Sequence, residues 1–572
     1  MFQRAIRNDP MDLAVIILSV TATLLLYSEH SVLGVVVWAL AYLALIVVLW
    51  VRLAPEWLGN IRTSVGGLVI LSFAATPPLT TGEVAHPTAA WLSLGFVLIL
   101  LSGLTMIETI AGYVGVRIGN IPGLSVLPPL PALKRVLQVT MVAAPLALFL
   151  LSRFQVDGNL WLAIALPVGA VVLVIYLIAA FRRRLSRRTR AALPRALTEL
   201  APDFVLYWDA PKSTAFQIAM WLPYLRRLDR PFFIMVRNRR SWEEALAVAS
   251  DVPLVLAPDM VDVDDFTVPT LRAVFYTNNA ARNTHYVRFQ QLTHVQLLHG
   301  ESDKAPSFNK VTGMYDKVYV AGQAGQDRYA NHGVYIDPRK FEIVGRPQVE
   351  GIVVSSELAV RPHPIVLYAP TWRGFFADSS YSSLEWGEVL IEQLLTRECT
   401  VIFRPHPWTA KDKHLRDIRA VIQQRLAAHR AETGTPHIFG DQAEQEYTIN
   451  DCFNASDAMI ADVSSVVGDY LYSLKPFATT AIGRNPDEFV SEFPLAQAGY
   501  VLSGDESQWS SVLDDMLGAD PARHRRSELR EYYLGSFPED DYASGFIDAA
   551  RRDIDSTPPI GLARAGTDGE SD

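Results

Sequence analysis

Two short polar phrases carry the residue types that could act on a phosphate. Arg404-Pro405-His406-Pro407 follows the apolar run Val401 to Phe403, and Asp462-Val463-Ser464-Ser465 follows the run Ala458 to Ala461. Both runs read as buried strands, so a guanidinium, an imidazole and two hydroxyls are expected at the carboxyl ends of strands, where open α/β sheets bind ligands. A helix predicted to start at Val466 would offer free backbone N–H groups beside Ser464 and Ser465, a combination suited to phosphate. The chemistry implied is that of an enzyme acting on a nucleotide-activated phosphate.

Each of these residues has a plainer reading. A histidine before proline, as at His406, is often only a strand end forced out of the helical region. Asp462 can be an N-cap or turn carboxylate as readily as a ligand contact, and Trp372 fits packing better than base stacking. The run Asp259 to Asp265 has irregular acidic spacing and no turn glycine, which suits a solvated loop better than a calcium site. No metal site is expected, and His285, His294, His363 and His437 read as bystanders. The two cysteines, Cys399 and Cys452, both fall in α/β segments, which favours neither a disulfide framework nor a thiolate metal site.

The elements that must position these groups form two series. Strand-like runs at 204–208, 232–236, 254–257, 273–276, 294–298, 317–320 and 341–344 alternate with helical stretches such as 213–227 and 242–249. A second series begins after the polar stretch 355–364, with strands at 365–368, 401–403, 437–439, 458–461 and 477–480 and helices at 384–397 and 412–428. Such alternation predicts mostly parallel sheets covered by helices, arranged as two Rossmann-like halves facing a cleft. The first half is set at 200–355, the second at 356–553, and a disordered tail at 554–572.

The 572-residue chain is 50% hydrophobic with a net charge of −9, and these averages conceal an amino-terminal part of a different kind. Apolar runs near 12–28, 31–52, 64–80, 90–109, 137–152 and 159–181 predict an all-α, multi-span transmembrane domain of about six helices over 1–181. Cationic residues fall at Arg4, Arg7, Arg52, Arg62, Arg117, Lys134 and Arg135, then in the basic linker 182–199, while the opposite loops carry only Arg153. By the positive-inside rule, the amino terminus and the large soluble part face the cytoplasm. The first run is no cleavable signal, because a second span follows at once. The expected role is anchorage at the cell membrane, with the basic run drawn to anionic lipid. Glu108 is the one acidic exception near a span, and Pro122 to Pro131 is expected to be a surface loop.

Several phrases in order give the soluble part a resemblance. His299-Gly300 with Lys304, Tyr368-Ala369-Pro370-Thr371-Trp372-Arg373, Arg404-Pro405-His406-Pro407, and Ser456-Asp457 leading to Asp462-Val463-Ser464-Ser465 and Asp469-Tyr470 together resemble the CDP-glycerol glycerophosphotransferases. These are the polymerases and primases of wall teichoic acid. The resemblance implies a GT-B-like fold, with the CDP donor on the second Rossmann-like domain and the acceptor approaching from the first. It implies attack of an acceptor hydroxyl on the β-phosphate of a CDP-alditol, with release of CMP, a reaction that depends on positioning and charge stabilisation.

On that resemblance His299 is the general base and His406, with Arg404, stabilises the departing CMP. Ser464 and Ser465 bind the phosphates, Arg373, Thr371 and Asp462 join the donor side, and Gly300 and Lys304 lie on the acceptor side. The expected partners are a CDP-alditol, a lipid-linked or glycan acceptor and membrane lipids, with no nucleic acid and no cofactor. The chain departs from the family pattern at Leu298, Glu301-Ser302, Gly374 and Val463, and in carrying its own membrane half. Two other functions compete: a GT-B glycosyltransferase using a nucleotide sugar, and a catalytically silent membrane scaffold. The leaving group separates the enzymes, since glycosyl transfer from a nucleotide sugar releases a nucleoside diphosphate.

Overall fold

The computed structural model describes residues 9–28, 31–53, 72, 75–111, 116–127, 131–300, 308–355, 361–374 and 381–562. The chain divides into two units, Met1–Arg117 with Leu124–Leu193, and Ile118–Gly123 with Pro194–Asp572.

The first unit is helical, with helices at Asp9–Leu26, Ser31–Leu53, Pro87–Ala111 and Pro131–Arg153 and most of Gly158–Glu199. Among the described residues one helix is long and apolar enough to cross a membrane, the 42-residue Gly158–Glu199. Its exposed side chains from Leu160 to Phe181 are apolar, including Leu166, Val171, Leu173, Val174, Leu177 and Phe181. The described apolar stretches of the other helices, Ile17–Leu26, Val32–Ala44, Pro87–Leu100 and Ala143–Arg153, are shorter than the roughly 17–25 residues a span requires. The expected run 64–80 lies largely outside the described residues. The six-span expectation is therefore not met by the described helices, of which one passes.

The second unit holds two sheets. The first contains β1 (Ile118–Gly119), β2 (Phe204–Trp208), β3 (Phe232–Val236), β4 (Leu254–Leu256), β5 (Ala273–Tyr276), β6 (Thr293–Gln296), β7 (Lys317–Val320) and β8 (Phe341–Ile343). They lie in the order β1-β4-β3-β2-β5-β6-β7-β8, with only β1 antiparallel. The second contains β9 (Ile365–Ala369), β10 (Thr400–Phe403), β11 (Ala458–Ala461), β12 (Phe477–Thr480) and β13 (Tyr500–Leu502), parallel throughout in the order β10-β9-β11-β12-β13. Strands such as Phe204–Trp208 and Ala458–Ala461 are buried along their whole length, as parallel strands covered on both faces must be.

Strand order reverses beside β2 in the first sheet and beside β9 in the second. Crevices open at such points outside the carboxyl ends, between β2 and β5 and between β9 and β11. Both series of strands predicted from apolar runs are present, with three differences. His437–Phe439 contributes a single bridge, Ile402 to Ile438, rather than a strand. Two short strands are added: β13, and β1 just before the Pro122 to Pro131 segment expected to be a loop. The acidic run from Asp259 is a helix, Met260–Phe266, closed by a capping box between Asp259 and Asp262, and not a loop.

The carboxyl end of the chain also differs from expectation. Helix Ser544–Ser556 buries Phe546, Ile547, Ala550 and Ile554 in the core of the first sheet, with Phe204, Leu206 and Trp221. Tyr319 adds a hydrogen bond from its hydroxyl to Asp553 at 2.8 Å. Residues 554–562, placed in a disordered tail, are folded: the Ile560 N–H donates to Leu271 O and the Gly561 N–H to Pro269 O, both at 2.9 Å. The boundary at 553 therefore cuts a helix that belongs to the first sheet's core.

Candidate active site

On the first sheet the site begins where β6 ends. Leu298 adopts a left-handed φ of 56°, unusual for a branched side chain. Neighbouring groups hold it there. Its N–H donates to Gln296 Oε1 at 3.0 Å, and its carbonyl accepts from Trp221 Nε1 at 2.6 Å. This turn brings the His299 ring back to the end of β5, where Nδ1 donates to the Thr277 carbonyl at 2.7 Å. A carbonyl partner fixes the tautomer, so Nε2 carries the lone pair. Burial pushes the His299 pKa below its ordinary value; the Thr277 carbonyl opposes this, and the charge of Arg346 adds to it. The imidazole is thereby held in its neutral, proton-accepting form.

On the second sheet the turn after β11 carries Ser464, whose backbone is extended, into helix Ser465–Leu471. Ser464 Oγ is buried without a hydrogen-bond partner, which leaves it available to a ligand oxygen. A Cβ built on Gly300 would lie 3.0 Å from Ser465 Cβ and 3.1 Å from its Oγ. The loop with the imidazole and the turn with the paired hydroxyls are thus in contact. A side chain at 300 would need Ser465 to give by a few tenths of an ångström.

The loops after β9 and β10 are joined by backbone bonds, Arg404 N–H to Tyr368 O and His406 N–H to Pro370 O, each 3.0 Å. His406 Nδ1 accepts from the Trp408 N–H at 3.1 Å, so the neutral ring bears its proton on Nε2 and is a donor there. Trp372 packs edge-on to Trp408 at 4.8 Å and at a tilt to His406 at 6.3 Å.

The remaining predicted residues take other places. Asp462 is fully buried and accepts from Thr371 N at 2.5 Å, Ser383 N at 3.1 Å and Thr480 Oγ1 at 2.6 Å. It is neither an N-cap nor a carboxylate bonded two residues on; it brackets the ends of β9, β11 and β12. Burial raises its pKa against these hydrogen bonds. Thr371 is buried as a partner of that bracket. Arg404 directs Nη1 to the Ala443 carbonyl and to Tyr447 O at 2.7 Å, an internal brace. Arg373 pairs with Glu385 at 2.6 Å at the surface. Lys304 lies outside the described residues. Among the described residues no group of three or more His, Cys, Asp or Glu side chains could hold a metal ion.

Sequence reasoning missed Arg346 and Thr277. Arg346 pairs with Asp469, Nε to Oδ1 at 2.8 Å and Nη2 to Oδ2 at 3.3 Å, joining the segment after β8 to helix Ser465–Leu471. These partners are 123 residues apart, and neither sits in a pattern that announces the other.

Residues 267–483, from just before β5 to just after β12, match the family model of CDP-Glycerol:Poly(glycerophosphate) glycerophosphotransferase. This segment belongs to that family. The matched segment therefore carries the pattern of a CDP-glycerol glycerophosphotransferase-type enzyme. The match takes in His299, Arg346, His406 and both serines. No curated protein matches the chain.

Solved structures similar to it include a putative UDP-N-acetylglucosamine 2-epimerase from Listeria monocytogenes, at 10% identity and a TM-score of 0.42, covering 63% of this chain and 98% of that one. The wall teichoic acid polymerase TagF, in a crystal soaked with CDPG, is 12% identical at a TM-score of 0.38, covering 65% and 95%. A complex of S. aureus MnaA with UDP is 8% identical at 0.42, covering 62% and 96%. Likeness at this level carries no conclusion about activity.

Proposed function

We propose that this chain is a membrane-anchored transferase that moves glycerol phosphate from CDP-glycerol to a hydroxyl of a lipid-linked or cell-wall glycopolymer, in the synthesis of a teichoic-acid-like polymer. The single observation that carries the reading is the contact of Gly300 with Ser465, which joins the loop that bears His299 to the turn that bears two hydroxyls, one of them buried and unpartnered. The two sheets act as the halves of a GT-B enzyme, with the donor on the second and the acceptor on the first.

The acceptor oxygen bonds to the β-phosphorus as its proton passes to His299 Nε2. The bond from that phosphorus to the bridging oxygen breaks, and CMP leaves. His406 donates from Nε2 to the departing phosphate, and Ser464 and Ser465 hold the non-bridging oxygens. Asp462, Thr371 and Arg404 keep the strand ends in register beneath the donor. Helix Gly158–Glu199, with its basic run after Phe181, attaches the enzyme to the cytoplasmic face of the membrane. The other apolar runs are assigned to the bilayer from the sequence pattern alone. Single-cysteine labelling would test that arrangement, because both native thiols, Cys399 and Cys452, are buried.

The enzymatic reading is tested by CMP release from CDP-glycerol and CDP-ribitol, using detergent-solubilised protein with a membrane extract as acceptor. Wild type is expected to release CMP in an acceptor-dependent way, and His299→Ala and His406→Ala each to lose on the order of 10²–10⁴ of that rate. Nucleoside diphosphate release from a nucleotide sugar, or no CMP from either donor in folded protein, overturns it.

A further inference from the structure

Arg346 occupies a turn that is fixed from several sides. Gly345 before it is left-handed at φ +76°, and a Cβ there would lie 3.0–3.2 Å from the rings of Phe537 and Tyr542. The Arg346 N–H donates to the Tyr542 hydroxyl at 3.4 Å. The guanidinium is only 7% exposed and forks onto both oxygens of Asp469. Asp469 stands on helix Ser465–Leu471, the first residue of which packs against Gly300. One arginine from the segment after β8 therefore holds the helix behind the phosphate-side hydroxyls.

We propose that Arg346 is a positioning residue for the transfer, its fork onto Asp469 setting the Ser464-Ser465 turn against the His299-Gly300 loop. The catalytic consequence rests on the glycerophosphotransferase reading; the geometry does not. A two-pronged guanidinium fixes direction as well as distance, which a point charge cannot. Arg346 also reaches His299 electrostatically. Among the described residues the imidazole meets the Thr277 carbonyl and the Phe216 ring edge, Ser465 packs against the neighbouring Gly300, and the charge acting on the ring is that of Arg346. Glu301, Asp303 and Lys304 follow His299 in the chain, outside the described residues, and are common to every variant compared.

The test uses the full chain in detergent with two readouts. One is the pH dependence of His299 ethoxycarbonylation by diethylpyrocarbonate, followed by peptide mass, which needs no turnover. The other is kcat and KM for CMP release. Arg346→Met removes the cation, and the His299 midpoint should rise. Asp469→Asn leaves the cation without its counter-charge, and the midpoint should fall. Arg346→Lys keeps the charge and loses the fork, so the midpoint should stay while kcat drops about tenfold at little-changed KM. Should Arg346→Met fail to fold, the other two variants decide. Midpoints that move together or not at all, or full kcat in Arg346→Lys, overturn the proposal. Midpoints that move as expected in an enzyme that releases no CMP overturn the functional reading alone.

Discussion

Gly300→Ala probes the contact on which the site depends. The added methyl would sit 3.0 Å from Ser465 Cβ and 3.1 Å from its Oγ, whereas carbon atoms in ordinary contact are ~3.5–4.0 Å apart. The two loops must therefore separate by about half an ångström. A 1 Å displacement of reacting groups lowers turnover about a hundredfold, so half that distance predicts about a tenfold loss of kcat. Gly300 is not in the left-handed region, so the substitution adds no backbone strain there. The overpacking, of about 1 kcal/mol, is offset by the lower entropy of the unfolded chain. The expected signature is a tenfold drop in kcat for CMP release with an almost unchanged melting temperature. Gly313→Ala is the control, because its Cβ would meet only Ile336 Cγ1, at an ordinary 3.7 Å. If Gly300→Ala turned over within twofold of wild type, the imidazole loop and the hydroxyl turn would not form one reactive unit, and the argument would fail.

Asp462→Asn should cost about 2–4 kcal/mol in denaturant unfolding, because three donors converge on its carboxylate; lost CDP-glycerol affinity at unchanged stability would instead make it a ligand contact. Arg526 and Asp520 form an ion pair with both side chains 0% exposed, so Arg526→Met should destabilise by about 3–5 kcal/mol. An unshifted unfolding midpoint would count against that. The lowered pKa of His299 means that acid removes the base only below its ordinary range. The acid limb of kcat/KM should then lie below ~6.5, flat through neutrality and falling as pH drops. A limb above neutrality would exclude His299 as the base.

What the sequence made legible follows from the length of chain over which each signal acts. Strands such as Phe232–Val236 and Phe477–Thr480 are continuous apolar runs bounded by polar residues, and their ends are readable directly. Ile118–Gly119 has two residues and no periodicity; it is a strand only because Leu254 and Val255 offer an edge. At the site, His299, His406 and Ser464 were marked by polar residues placed straight after a strand. Asp462 was equally visible, yet its role was not, because its partners Thr371, Ser383 and Thr480 lie 91, 79 and 18 residues away. Helix Ser544–Ser556 was hidden for the same reason: its apolar face is matched to Phe204 and Trp221, and nothing local records that.

The distribution of charge around the second sheet bears on how the reaction can be catalysed. Asp462 and one edge of Arg404 are engaged with protein groups, mostly backbone, holding the ends of β9 to β12 in register. Arg373 is paired at the surface, and Arg346 is forked onto Asp469. The groups that the proposed reading assigns to the phosphate are then chiefly uncharged hydroxyls, those of Ser464 and Ser465, with His406 Nε2. Neutral donors stabilise developing charge well only when fixed beforehand, since each contributes less than an ion and none can reorient without loss. The ionic residues therefore act by spending their charge on rigidity. On this view, loosening the scaffold at Asp462 or Arg346 should slow transfer even where no atom touching the donor has changed.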